Sequence, residues 1–335
     1  MKSYLFIINM KKYLFSINMK KYLFSRQIWD PIGKFFYFMI SILYYILFDF
    51  WYQLGTNFNL NFEFYVTFNP FYSFVRGSKK FIPEKNYIQE LKVNNDKINF
   101  IASGDTSSDL NNFINKHIEK SYFIHLGDYV YKNDNKIPFS NLIKDNKIIY
   151  TPGCREILPY ANPKWKLKFK SLIINNYYIK RIKLNNFWID IYVLTNYLLP
   201  GSKYYYDLIK WLNYNVNNSN SKFKIITCHN PPYSISRHGP DYVIRSILTN
   251  SNILNKIDLV LSGHDHCYQR FKINNLTYVV SGLGGHSKYD IKNNDSNLIF
   301  KYNQEYGILK LQIDYNKISG HFINLNNQII DNFVC

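Results

Sequence analysis

Short apolar runs that each stop at an acid or a histidine are the feature that most constrains this chain. Ile98–Ala102 runs into Ser103-Gly104-Asp105, and Tyr122–Leu126 into Gly127-Asp128-Tyr129-Val130-Tyr131. Phe223–Thr227 meets Cys228-His229-Asn230-Pro231-Pro232, and Ile257–Leu261 meets Ser262-Gly263-His264-Asp265-His266. Runs of this length, rich in Ile, Val and aromatics and closed by Gly or Pro, read as buried strands. Ile148–Tyr150, Phe187–Leu194 and Thr277–Val280 read the same way. Amphipathic stretches predict helices at Asp109–Lys120, Tyr205–Tyr214 and Asp241–Thr249, and residues 307–325 predict a closing hairpin turned at Asn316. That alternation argues for a layered α/β fold. Ligands of α/β sheets bind beyond the carboxyl ends of strands, so four such ends can converge on one site. A single Asp or His there is an ordinary turn residue. Four with the same punctuation point to a centre. Hard oxygen donors beside imidazoles suit a divalent or trivalent cation, and one carboxylate between two cations can bridge them.

The order GD, GDxxY, H and GHxH resembles the metallophosphoesterase (calcineurin-like) superfamily, and within it the purple acid phosphatases of the tartrate-resistant type. The likeness rests on Gly104-Asp105, Gly127-Asp128-x-x-Tyr131, His229 and Gly263-His264-Asp265-His266. It extends to the string from His229 through His238-Gly239-Pro240 and to Val279-Val280-Ser281-Gly282-Leu283-Gly284-Gly285, covering about residues 97–285. Most of the superfamily has Asp-x-His in the first block, whereas here Asp105 is followed by Thr106 and Ser107. The purple branch uses a tyrosine after the second block instead, and Tyr131 stands at that place. The resemblance implies a layered α-β-β-α sandwich with mixed sheets and a centre of two metal ions. It implies Asp105, Tyr131 and His266 on the first ion, Asp128 bridging, and His229 and His264 on the second. The first ion would be Fe(III), the second Fe(II), Zn or Mn. His238 would contact phosphate or protonate the leaving group. The implied reaction is phosphomonoester hydrolysis, a metal-bound hydroxide attacking a phosphoester substrate in line.

The third block departs from the family pattern Gly-Asn-His-Asp/Glu, because the chain reads Thr151-Pro152-Gly153-Cys154-Arg155-Glu156. Cys154 takes the place of the Asn ligand, and sulfur is a softer donor than an amide oxygen. Arg155 takes the place of the phosphate-facing His; it can hold a phosphate bidentately but cannot act as an acid near neutral pH. Asn162, before Pro163, is a weaker substitute ligand. Two readings follow: an altered but active phosphatase, or a pseudo-phosphatase serving as a membrane-anchored binding or structural protein. Cys228 and Cys267 neighbour candidate ligands but should face away into packing, since strand side chains alternate. Adjacent strands in a lumenal compartment would allow them a disulfide. Without any CxxC pair, zinc-ribbon and thioredoxin readings have no support.

The amino-terminal part reads differently. Met10–Ser16 recurs as Met19–Ser25, a tandem repeat best explained by in-frame duplication. Residues 35–54 are almost wholly apolar or aromatic, with Asp49 as the one acid, and twenty such residues span about 30 Å as a helix. Seven cations precede them against Asp30 alone. The positive-inside rule then predicts a single-pass anchor with a cytoplasmic amino terminus and an extracellular or lumenal catalytic domain. The expected organisation is a basic tail at 1–34, an anchor at 35–54, a linker at 55–90 and a metallophosphoesterase domain at 91–335. The net charge of +18 raises nucleic acid as a partner. Scattered lysines and the lack of any helix-turn-helix, zinc-finger or RNP-like block argue against one. Oligomeric state is left open. Three Asn-x-Ser/Thr triplets, at Asn217, Asn275 and Asn294, carry little weight in so Asn-rich a chain.

Overall fold

The computed structural model describes residues 88–129, 131, 142, 147–157, 177–194, 203–291 and 295–335. The basic tail, the run at 35–54, nearly all of the expected linker and Asn162 lie outside those residues. Among the described residues no helix is long and apolar enough to cross a membrane.

The chain runs β1 (Ile88–Lys92), β2 (Lys97–Ser103), α1 (Ser108–Ile118), β3 (Tyr122–His125), β4 (Ile148–Tyr150), α2 (Cys154–Ile157), β5 (Tyr178–Lys183), β6 (Trp188–Val193) and α3 (Lys203–Asn217). It continues through β7 (Phe223–Thr227), α4 (Tyr242–Asn250), β8 (Leu259–Ser262), β9 (Tyr268–Ile273), β10 (Leu276–Ser281), β11 (Leu298–Tyr302), β12 (Gly307–Asp314), β13 (Ile318–Asn324) and β14 (Ile329–Val334). Eight strands form one sheet, ordered β1-β5-β6-β7-β8-β10-β9-β11, and six form the other, ordered β14-β13-β12-β2-β3-β4. Both sheets are mixed. β2, β3 and β4 are parallel, as are β6, β7, β8 and β10, while β12 meets β2 and β9 meets β10 antiparallel.

Strand alternation builds the layers. Ile98, Phe100 and Ala102 of β2 enter one core with Ile189, Ile191 and Val193 of β6, Ile225 of β7 and Leu259 and Leu261 of β8, so that core lies between the sheets. Ile101, on the opposite face of β2, packs instead on Leu110, Ile114 and Ile118, the i, i+4, i+8 stripe of α1. The eight-stranded sheet is covered by α3, where Tyr192 of β6 donates to the Asn215 carbonyl at 3.3 Å and stacks edge-on near Trp211. Tyr205 and Ser246 share a 2.8 Å hydroxyl contact that ties α3 to α4. Asp241 caps α4, accepting from the Val243 and Ile244 amides at 2.9 and 3.0 Å.

Five strands go unpredicted by the apolar pattern: β1, β5, β9, β11 and β14. β5 reads Tyr-Ile-Lys-Arg-Ile-Lys, and its Arg181 faces Asp190 of β6 in register, with two 2.8 Å hydrogen bonds. Arg270 of β9 likewise reaches Asp331 of β14 at 2.7 and 2.9 Å, joining one sheet to the other. β1 begins at Ile88, inside the stretch read as linker, and pairs in parallel with β5. Cys228 and Cys267 are buried free thiols, so the disulfide allowed for them does not form.

Candidate metal centre

The carboxyl ends of β2, β3 and β4 in one sheet meet those of β7, β8 and β10 in the other. The Gly104 amide donates to the Ser281 carbonyl at 2.9 Å, and the Ser281 hydroxyl donates to the Ala102 carbonyl at 3.2 Å. Thr151, after β4, donates to the Thr227 hydroxyl at the end of β7 at 2.9 Å. Beyond these ties the chain turns sharply. Asp105, Asp128 and His264 have φ of 58°, 55° and 68°, the left-handed region that few non-glycine residues enter. Asp and His are among the side chains that enter it most readily, and backbone strain of this kind gathers at functional sites. Gly153 is required by close approach, since a Cβ there would collide with the amide nitrogen and Oδ1 of Asp128.

Two donor groups share Asp128. In the first, the Tyr131 hydroxyl lies 2.7 Å from Asp105 Oδ1, 2.9 Å from Asp128 Oδ2 and 3.1 Å from His266 Nε2. His266 Nε2 is also 3.3 Å from Asp105 Oδ1, and its Nδ1 is 2.6 Å from Ser287 Oγ. Burial alone would raise the Asp105 carboxyl, but His266, His229 and Tyr131 together hold it well below the usual range. Burial first, then the Asp105 and Asp128 charges, push the Tyr131 phenol well above its ordinary value. Asp105, Asp128 and His266 thus surround one phenolic hydroxyl with potential metal-donor atoms.

In the second group, Cys154 Sγ lies 3.2 Å from Asp128 Oδ2, 3.7 Å from His229 Nε2 and 3.9 Å from His264 Nδ1. His229 Nε2 is 3.2 Å from His264 Nδ1 and 3.4 Å from Asp128 Oδ1. Cys154, His229 and His264 form one cluster able to hold an ion; Asp105, Asp128 and His229 form another. The Asp105 carboxylate also accepts from the His264 amide at 2.7 Å, which locks β2's end to β8's. Burial and the Asp128 charge raise the Cys154 thiol well above its usual value. His264 is lowered well below the usual histidine range by burial and by His229.

Arg155 stands at the rim, its side chain 46% exposed, with its amide 2.8 Å from Asp128 Oδ1, Nε 3.8 Å from Asp128 Oδ2 and its guanidinium over the Tyr131 ring at 4.7 Å. His238 stacks on His264 with ring centres 4.3 Å apart, and its amide donates to Asp265 Oδ1 at 2.9 Å. Burial, His266 and Arg237 lower the His238 ring to about 4. Of the residues named from the sequence, all but Asn162, which lies outside the described residues, gather in one place.

Others were not foreseen. Glu156 is buried and takes three backbone amides, from Asp128 at 3.1 Å, Tyr129 at 2.8 Å and Gly153 at 2.8 Å. Burial and the Asp128 charge raise it to about 7. Its position as the acid that closes the third block was the available signal. His286 stacks on the Tyr131 ring at 3.6 Å and Tyr289 on His266 at 4.0 Å. Neither carried a sequence signal.

Two mixed sheets face to face, helices outside and acids and histidines at the shared carboxyl edge define a layered metallophosphoesterase fold. The chain belongs to the calcineurin-like phosphoesterase family, whose profile matches residues 98–268, just over half of its length. Purple acid phosphatase 4 of Arabidopsis thaliana is 32% identical over 89 residues, which is 27% of this chain and 26% of that protein. Purple acid phosphatase 3 of the same plant is 25% identical over 173 residues, 50% of this chain and 44% of that protein. The chain thus spans less than half the length of these curated relatives. Among solved structures, purple acid phosphatase PPD1 from yellow lupin (Lupinus luteus) seeds aligns with a TM-score of 0.57 and 18% identity, over 71% of this chain and 53% of that one. GAP50, the anchor in the inner membrane complex of Plasmodium, aligns with a TM-score of 0.52 and 16% identity, over 71% and 88%. At these identities both likenesses describe the fold.

Proposed function

We propose that the chain is a metal-dependent phosphomonoester hydrolase of purple acid phosphatase type with a two-cation centre. The observation that carries this reading is Asp128, whose Oδ2 lies 2.9 Å from the Tyr131 hydroxyl and 3.2 Å from Cys154 Sγ and so faces both donor groups. Asp105, Tyr131 and His266 would hold one ion, and Cys154, His229 and His264 the other, with Asp128 between them. A bound pair of cations would supply charge neutralisation to a phosphoryl group and acidify water. The protein's own part is to fix those donors by strained turns and by the Glu156 clamp, so that little reorganisation accompanies reaction. Arg155, half-exposed at the rim, would hold phosphate oxygens through its planar fork. His238, a neutral ring above about pH 4, would orient the ester oxygen by hydrogen bonding.

The domain that does this would occupy 88–335, so as to include all of β1, tethered through 55–87 to a membrane anchor at 35–54. The amino terminus would be cytoplasmic and the centre extracellular or lumenal. A second reading rests on Arg155, which has no proton to exchange near neutral pH: a pseudo-phosphatase acting as an anchored binding protein. The GAP50 fold neighbour is itself an anchor. Assay of the full chain with Fe, Zn or Mn on an aryl phosphate separates the two. Metal-dependent turnover is expected. Protein that binds two ions and cleaves no phosphoester would overturn the hydrolytic reading and favour the second.

A further inference from the structure

We infer that the Cys154 half of the centre is a sulfur-ligated site, selecting a zinc-class cation over hard Mn(II) or Mg(II). This rests on the two-cation reading above and specifies the chemistry of one half of it. The S-to-N separations are 3.7 Å and 3.9 Å, the N-to-N separation is 3.2 Å, and the S-to-O separation to Asp128 is 3.2 Å. A tetrahedral ion with bonds of about 2.0–2.3 Å holds two nitrogens about 3.3 Å apart and a sulfur about 3.6 Å from each. The side chains already stand near that geometry.

Orientation supports it independently. His229 Nδ1 is 2.7 Å from the Leu126 carbonyl, which only accepts, so Nδ1 carries the proton and Nε2 presents a lone pair to the group. That lone pair faces His264 Nδ1 and Cys154 Sγ, three donor atoms without a covalent reason to be so close. The first group differs in kind, since its donors are carboxylate and phenol oxygens with one imidazole. Sulfur is the atom that changes the preference, because thiolates favour borderline and soft ions whereas Mn(II) and Mg(II) favour oxygen. On binding, the S–H bond breaks, the sulfur–metal bond forms and the proton leaves to solvent.

The test strips the full chain of metal and titrates it with Co(II) and then Zn(II), beside Cys154→Asn and Cys154→Ser. Wild type should develop a near-ultraviolet sulfur-to-cobalt charge-transfer band that zinc bleaches. Both variants should bind cobalt without that band, and the preference for zinc over manganese should fall by at least about tenfold in Cys154→Asn. If the variants misfold, alkylation of Cys154 in wild type serves instead, with zinc expected to slow it strongly. Cobalt binding without a sulfur band, a band that survives in Cys154→Asn, or an alkylation rate unchanged by zinc would each overturn the inference. None of these readouts needs turnover. A sulfur band in a protein that cleaves no phosphoester overturns only the hydrolytic reading, and hydrolysis without the band overturns only this one.

Discussion

The Tyr131 side and the Cys154 side of the centre share one carboxylate and differ in their other donors: Asp105, a phenol and one imidazole on the first, a thiol and two imidazoles on the second. Each has histidine nitrogen, Asp128 and one protonated hydroxyl or thiol. The phenol hangs on the irregular segment after β3, whereas the thiol opens α2. Burial, followed by carboxylate charge, raises both groups well above their ordinary values. On the proposed reading, oxygen on one side and sulfur on the other would give two neighbouring positions different preferences in metal.

The broadest way to break the comparison is Asp128→Ala, which removes the group both sides share. Bound metal should fall from two equivalents toward none and aryl phosphatase turnover by on the order of 10³-fold, read by elemental analysis and steady-state kinetics. Tyr131→Phe should break one side only: iron affinity at that side falls about 10²-fold and any phenolate-to-iron band vanishes, while zinc still protects Cys154 from alkylation. Glu156→Gln strikes the frame beneath both sides. An amide cannot accept all three backbone hydrogens, and one unsatisfied buried amide costs about 2 kcal/mol, measurable by urea unfolding. Asp190→Asn, far from either side, sharpens the contrast as a control. Burial alone would raise the Asp190 carboxyl, but hydrogen bonds from Arg181 and Ser219 hold it below its usual value. Its contribution is therefore present above the unfolded value near 4 and lost as pH falls through the lower folded value. The variant should lose about 1 kcal/mol at pH 7, because Arg181 is partly exposed, and show a flatter acid limb with unchanged metal content.

The strands that bear the centre were legible because most of their residues are buried on both faces, so apolar side chains predominate up to a Gly-Asp, Gly-His or Cys-His stop. β5 and β9 were hidden because Arg181 and Arg270 look like surface residues until Asp190, on the next strand, and Asp331, on a strand distant in sequence, are brought opposite them. Asp105, Asp128, His229, His264 and His266 were visible as strand ends. Glu156 was not, because accepting three amides is a role that exists only after the loops at 127–129 and 153 have folded around it. Ring stacking by His286 and Tyr289 has the same origin, in neighbours that the loop after β10 brings together.

The left-handed turns at Asp105, Asp128 and His264 have a consequence for how such a centre can change. At those positions the backbone admits Gly, Asn, Asp or His and penalises branched or bulky replacements by about 1–3 kcal/mol before any chemistry is counted. Cys154 and Arg155 begin an ordinary helical turn, where one side chain exchanges for another at little conformational cost. Variation is thus channelled. Asp105 and Asp128 are held by backbone geometry, whereas position 154, the donor proposed to set the metal preference, can change freely. A lineage carrying this frame can retune or retire its chemistry at two adjacent codons and leave the scaffold standing.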